Sequence, residues 1–208
     1  MRPKIIIDPG SCHCGSAVMA GQFIDLAADL GVDAVKFQLF PQAMYPGNCA
    51  LPYEAFPILV EHGKEAGVEV FASTFEVTGR HLAMLHCDSI KFAHGRHQGI
   101  DECVGKMTVY ASYSYLDAIN PDTIALYAIP EYPVPYQVAF TRQMFTRFAG
   151  FSDHTLSIEQ TVLAAEYGAR VIEKHVRLDS DKCDAWPDGR FAIYPNELEE
   201  LMSRLDAL

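Results

Sequence analysis

The sequence predicts an α/β protein: a reduced (β/α)8 barrel, also called a TIM barrel, forming a single domain over residues 1–208. Three observations lead there. Eight short stretches rich in β-branched or other apolar residues recur along the chain. They are near-continuously apolar rather than alternating, as in a parallel sheet covered on its faces. Three of them follow a glycine that ends a helix-like run, which is the order of βα units. Eight such units suggest closure into a barrel, although this length is near the lower end for that fold. A doubly wound open sheet is the alternative.

The elements follow in order. KIIID (4–8) is a strand running into the turn PG. DLAADLG then DAVKFQ, and VEHGKEAG then VEVFAS, each pair a helix closed by glycine with the next strand. SIKFAH (89–94) and TVYAS (108–112) are separated only by residues 95–107, so the helices after strands 4 and 5 are expected to be cut to little more than a turn. IALYAI (124–129) and FAGFSD (148–153) supply strands 6 and 7. LAAEYG leads into RVIEKHV as strand 8, and PNELEELMSRL is the last helix.

Composition narrows the function. Half of the 208 residues are hydrophobic, enough for one sizeable core. A formal net charge of −11 argues against nucleic acid, which selects basic faces. No apolar run approaches the roughly 20 residues of a spanning helix, so no membrane is expected. The opening MRPKIIIDPG lacks the apolar core and cleavage site of a signal peptide, which predicts a cytoplasmic protein. The six cysteines form no CxxC pair and are expected to be free thiols. Cys12 and Cys14 could form a soft metal site, but no second cluster completes one.

In this fold active sites lie where strands end. Asp8, Lys36, Gln38, Ser73, Thr74, Lys91, His94, Ser112, Ser152, His154, Glu173 and His175 all stand at strand ends. His154 and His175, on successive strands, could share one divalent ion. A nitrogen and oxygen donor set without thiolate favours manganese or magnesium over structural zinc. A turn-capping His154 and a packed core His175 are the bland alternative. Lys36 and Lys91 lie in apolar strands, where an unpaired ammonium is expensive to bury. They require an anion, either a phosphate or carboxylate ligand or a buried pairing with Asp8 or Glu173. A Schiff-base lysine is a third reading.

The motifs GSCHCG, DAVKFQ, YPGN, FASTFE, SIKFAHG, EYPVPY, GFSDHT, VIEKHV and WPDG, in this order, resemble the series of the sialic acid synthases and their legionaminate and pseudaminate relatives. The resemblance covers nearly the whole chain. It implies a metal-assisted condensation of phosphoenolpyruvate with an N-acetylmannosamine-type amino sugar on a (β/α)8 barrel, that is, an N-acetylneuraminate synthase-like transferase. Carried over by motif, His154 and His175 resemble the metal ligands, for Mn2+ or Mg2+. Lys36, Asn48, Thr74, Lys91, Ser112 and Ser152 resemble the phosphoenolpyruvate cradle, and Glu173, Tyr132 and Asp188 resemble residues around the sugar. Asp8 stands where the family usually has a longer Glu, so a group near water or metal reaches less far. Cys12 replaces an Asn, His94 a serine, and Pro130 another Asn.

Family members also carry a C-terminal antifreeze-like domain that reaches the partner subunit's sugar site. The resemblance therefore implies a homodimer, and for a chain whose last residue is Leu208 a separate antifreeze-like domain protein as partner. Two other functions stay open: a catalytically reduced barrel that binds phosphoenolpyruvate or another small anion, and a class I aldolase using Lys36 or Lys91.

Overall fold

The computed structural model describes residues 2–44, 49–178 and 186–208. Eight parallel strands close into a barrel in chain order, so β1 pairs with both β2 and β8. The strands are β1 (Lys4–Asp8), β2 (Ala34–Leu39), β3 (Glu69–Thr74), β4 (Ser89–Phe92), β5 (Thr108–Tyr113), β6 (Ile124–Ala128), β7 (Gly150–Asp153) and β8 (Val171–His175). The open-sheet alternative is excluded by this closure. Strands β4, β6 and β7 are each one or two residues shorter than the apolar stretches suggest, because the flanking residues lie outside the ladder pairing.

Helices cover the barrel unevenly. Helix α1 (Ala17–Leu30) starts where the Ser16 hydroxyl accepts the Met19 N–H and stops at Gly31, whose φ of 68° suits a residue without Cβ. Helix α2 (Phe56–Ala66) likewise stops at Gly67, and α3 (Val77–His86) follows β3. After β4 only a 3-10 turn (Ile100–Glu102) remains, and residues 114–123 after β5 contain no helix, both as expected. A third reduction follows β6, where α4 (Met144–Arg147) is one turn. Pro130, Pro133 and Pro135 deny the start of that connection the N–H groups a helix needs. Aromatic packing covers the wall instead, with Phe140 against Phe151 at 5.0 Å and Tyr127 against Phe148 at 5.4 Å between ring centroids. Helices α5 (Glu159–Glu166) and α6 (Pro195–Asp206) close the rest. Among the described residues, no helix is long and apolar enough to cross a membrane.

Strand alternation sorts the side chains. Ile6, Ala34, Phe71, Tyr110, Leu126 and Val171 fill the lumen as a separate apolar cluster, while the outward residues join the larger core beneath the helices. Below that layer Lys4 bonds Glu69 and Tyr110, and Ser89 bonds Glu69, so the N-terminal end is plugged by a paired polar network. Gly150 is required where β7 meets β8, since a Cβ there would lie 1.8 Å from the Val171 carbonyl oxygen. The lumen is thus packed below and open only at the strands' C-terminal ends.

Candidate active site

At that open end lies a cavity of about 400 Å³. Its floor is a buried charge network. The Lys36 Nζ is 2.5 Å from Asp8 Oδ2 and 3.4 Å from Glu173 Oε1. The Lys91 Nζ donates to both oxygens of Glu173 at 2.8 Å, and the Ser152 hydroxyl donates to Oε1 at 2.7 Å. Asp8 also accepts from the Gly10 N–H and the Gln38 amide, and its Oδ2 lies 3.3 Å from His175 Nε2. Both lysines thus obtain the buried carboxylate pairing that their strands left open.

This geometry sets the protonation states. Burial works against the Glu173 carboxylate, but the ammoniums of Lys36 and Lys91 outweigh it and hold its pKa well below the usual range. Burial opposes the Asp8 carboxylate as well, but the neighbouring His175 and Lys36 outweigh it and lower its pKa. Burial also opposes the charged form of Lys36, yet Asp8 and Glu173 raise its pKa above that of a free lysine. Lys91 goes the other way: burial and the neighbouring Lys36 bring it down to about 8, with Glu173 only partly compensating.

His154 and His175 stand above the floor with ring centroids 5.7 Å apart. The loop carrying His154 is clamped from outside the barrel. Lys174, fully buried on β8, bonds Asp153 at 3.0 Å and the carbonyls of Thr155 and Ser157, while Asp153 accepts the Thr155 N–H at 2.7 Å. The His154 Nδ1 faces the Ile129 carbonyl at 3.0 Å, which makes Nδ1 the protonated nitrogen and leaves a lone pair on Nε2. Burial, then His175, lowers the His154 pKa to about 4, so the ring is neutral near pH 7. The His175 Nδ1 is buried without a partner. The lone pair on His154 Nε2 and the unpartnered His175 nitrogen, beside the Asp8 carboxylate, suit a divalent ion whose remaining ligands are water or substrate. Among the described residues there is no group of three or more His, Cys, Asp or Glu placed to hold a metal. Cys12 and Cys14 belong to no such group either.

Tyr132 leans on His154 at 4.3 Å between centroids, and Phe191 packs edge-on against His175 at 4.7 Å. Phe191 escaped sequence reasoning because it lies in a coil between a 3-10 turn and α6, with no strand-end position to mark it. Asp188 Oδ2 accepts from both the backbone and the hydroxyl of Ser11 at 2.7 Å, tying the 3-10 turn Pro187–Arg190 to the loop after β1.

Asp8, Lys36, Lys91, Ser112, Tyr132, Ser152, His154, Glu173, His175 and Asp188 all line this one cavity. Thr74 does not: it is buried at the end of β3, and its neighbour Ser73 lines the cavity in its place, as the alternation of a strand requires. Asn48, like Cys183, lies outside the described residues.

Known proteins resemble the chain along its length. It is 25% identical to an N,N'-diacetyllegionaminic acid synthase of Campylobacter jejuni, over 97% of this chain and 75% of that one. A pseudaminic acid synthase of the same species is 24% identical over 98% of this chain and 72% of its own. Among solved structures, an N-acetylneuraminic acid (sialic acid) synthetase from Leptospira borgpetersenii superposes with a TM-score of 0.84 at 23% identity, covering 100% of this chain and 84% of that one. The family model described as NeuB matches residues 105–208. That match contains the strand ends bearing Ser152, His154, Glu173 and His175, and the chain belongs to the NeuB family.

Proposed function

We propose that the chain condenses phosphoenolpyruvate with an N-acetylmannosamine-type 2-acetamido sugar to give a nonulosonic acid and inorganic phosphate. The observation that carries this reading is the floor of the cavity, where two lysines and two carboxylates share one buried network beside hydroxyl donors. An anionic three-carbon donor suits it. Lys36 and Lys91 can turn their ammoniums from Asp8 and Glu173 to the donor's carboxylate and phosphate, with Ser112 and Ser152 adding neutral hydrogen bonds.

The bond to be made joins C3 of phosphoenolpyruvate to the aldehyde carbon. The aldehyde oxygen must gain a proton, and Lys91, held at about 8, is a suitable donor near neutral pH. Water then adds at C2, and the ionised carboxylates Glu173 and Asp8 can take its proton. The C2–O bond to phosphorus-bearing oxygen breaks last, releasing phosphate. Glu173 therefore serves as an ionised anchor for Lys91 and as a base for the water that adds at C2. His154 and His175 would hold a manganese or magnesium ion, which when bound supplies Lewis-acid polarisation of the aldehyde. Tyr132 and Asp188 border the space left for the sugar.

The test is release of phosphate from phosphoenolpyruvate by purified protein with manganese, over a panel of 2-acetamido sugars and simple aldoses, with and without a separate antifreeze-like domain protein. Release with a sugar supports the reading. Silence across both arms, with phosphoenolpyruvate still binding by calorimetry, overturns it in favour of a binding protein. A lysine at about 8 is also what a Schiff-base aldolase uses. Borohydride trapping of pyruvate on Lys91, indifferent to chelators, would select that chemistry instead.

A further inference from the structure

Among the described residues six charged side chains line the cavity, and five of them are already partnered: Asp8, Lys36, Lys91 and Glu173 with one another, and Asp188 with Ser11. The sixth is Arg96. Its backbone N–H closes a turn on the Ala93 carbonyl at 3.0 Å, a turn in which Gly95 has a φ of 68°. Its guanidinium lies over the Phe75 ring, 5.5 Å from the centroid, and among the described residues it makes no hydrogen bond or ion pair. Stacking fixes the plane of a guanidinium while leaving its N–H edge open.

The same wall offers more. Ser73, which pairs in register with Lys91, has a buried hydroxyl without a partner. His94 stands at the rim beside Arg96 with its Nε2 3.0 Å from Asp117. The opposite wall, formed by Tyr132, His154, His175 and Phe191, holds rings and, among the described residues, no permanent cation. In a chain of net charge −11, an exposed arginine lining the mouth of the site is a local exception to the protein's field.

We infer that Arg96 is a specificity-determining residue for the acceptor, and that the acceptor aldose carries an anionic group, phosphate or carboxylate, at the end remote from its aldehyde. The inference rests on the reaction proposed above. Phosphoenolpyruvate is small, and its two anionic groups flank the reacting carbons, where Lys36 and Lys91 lie buried. Arg96 is exposed at the rim and so meets the distal end of the longer substrate.

The experiment compares N-acetylmannosamine, its 6-phosphate and the corresponding 6-carboxylate as acceptors, by phosphate release, for the wild type, Arg96→Gln and Arg96→Lys. The wild type should favour one anionic acceptor over the neutral sugar by at least about tenfold in kcat/KM, the scale of a charged hydrogen bond. Which of the two wins distinguishes phosphate from carboxylate. Arg96→Gln should erase the ratio and Arg96→Lys should keep part of it. A neutral acceptor preferred by the wild type, or a ratio unchanged in Arg96→Gln, makes Arg96 a solvated rim residue and overturns the inference. So does a higher KM for phosphoenolpyruvate that is the same with every acceptor. If no acceptor releases phosphate, the proposed reaction fails, and calorimetry with the 6-phosphate still decides on Arg96. Binding weakened about tenfold by Arg96→Gln supports an anion subsite, whereas equal or absent binding overturns it.

Discussion

Replacing Glu173 by Gln keeps the side chain's shape and removes the charge that two lysines share. Lys91 suffers most, because Glu173 supplies both of its hydrogen bonds at 2.8 Å, whereas Lys36 keeps Asp8 at 2.5 Å. Stranding a buried charge usually costs about 3–5 kcal/mol. Here the loss is capped, because Lys91 can release its proton. With a pKa of about 8 in the fold against about 10.4 unfolded, its charged form already costs about 3 kcal/mol at pH 7. Holding it neutral at pH 7 costs roughly 4–5 kcal/mol, and the penalty grows no further. The added loss is therefore about 1–2 kcal/mol, a fall of roughly 3–8 °C in melting temperature for a chain of this size.

The sign of its pH dependence follows. A lysine depressed in the fold destabilises at pH below its unfolded pKa, and that penalty fades as pH rises toward it. Near pH 9.5 Lys91 is neutral in both proteins, so the gap between wild type and Glu173→Gln should narrow. Thermal melts at pH 7 and 9.5 measure it, and calorimetry with phosphoenolpyruvate should show weakened binding at pH 7, where the variant's Lys91 is uncharged. A gap of 4 kcal/mol or more that is the same at both pH values would refute the reasoning, since Lys91 would then be holding its charge without Glu173.

Two further outcomes are expected. His154→Ala and His175→Ala should each abolish manganese binding while shifting the melting temperature little, because groups at the C-terminal face of such a barrel serve chemistry more than packing; unchanged metal affinity with a large loss of stability would make both packed core histidines. His13 is fully buried, and burial, only partly opposed by Asp8, brings its pKa down to about 4. The unfolded chain therefore takes up that proton first as the pH drops below about 6.5, and stability present at pH 7 is lost toward pH 4, by about 2 kcal/mol at pH 5. His13→Gln should reduce the fall in melting temperature between pH 7 and pH 5 by roughly 4–8 °C, and an unaltered fall would place the acid sensitivity elsewhere.

Local pattern in the sequence was enough to define the eight strands, their order, two of the three expected glycine-capped helices, the third being capped at Tyr167 one residue before Gly168, and the strand-end positions of Asp8, Lys36, Lys91, His154, Glu173 and His175. Each of these depends on hydrophobic periodicity or on a cap within a few residues of the position concerned. The helix lost after β6 was also written locally, in Pro130, Pro133 and Pro135, although the aromatic packing that replaces it was not. What only the tertiary structure decided is which groups meet. Barrel closure carries β1, β2, β4 and β8 around one lumen, so Lys36 finds Asp8 and Lys91 finds Glu173, residues 28 and 82 positions apart. The register of neighbouring strands puts Ser73 rather than Thr74 in the cavity, and the return of the chain after β8 lays Phe191 on His175. Arg96 is left open for the same reason: among the described residues no carboxylate pairs with it, and no pattern along the chain records an absence of that kind.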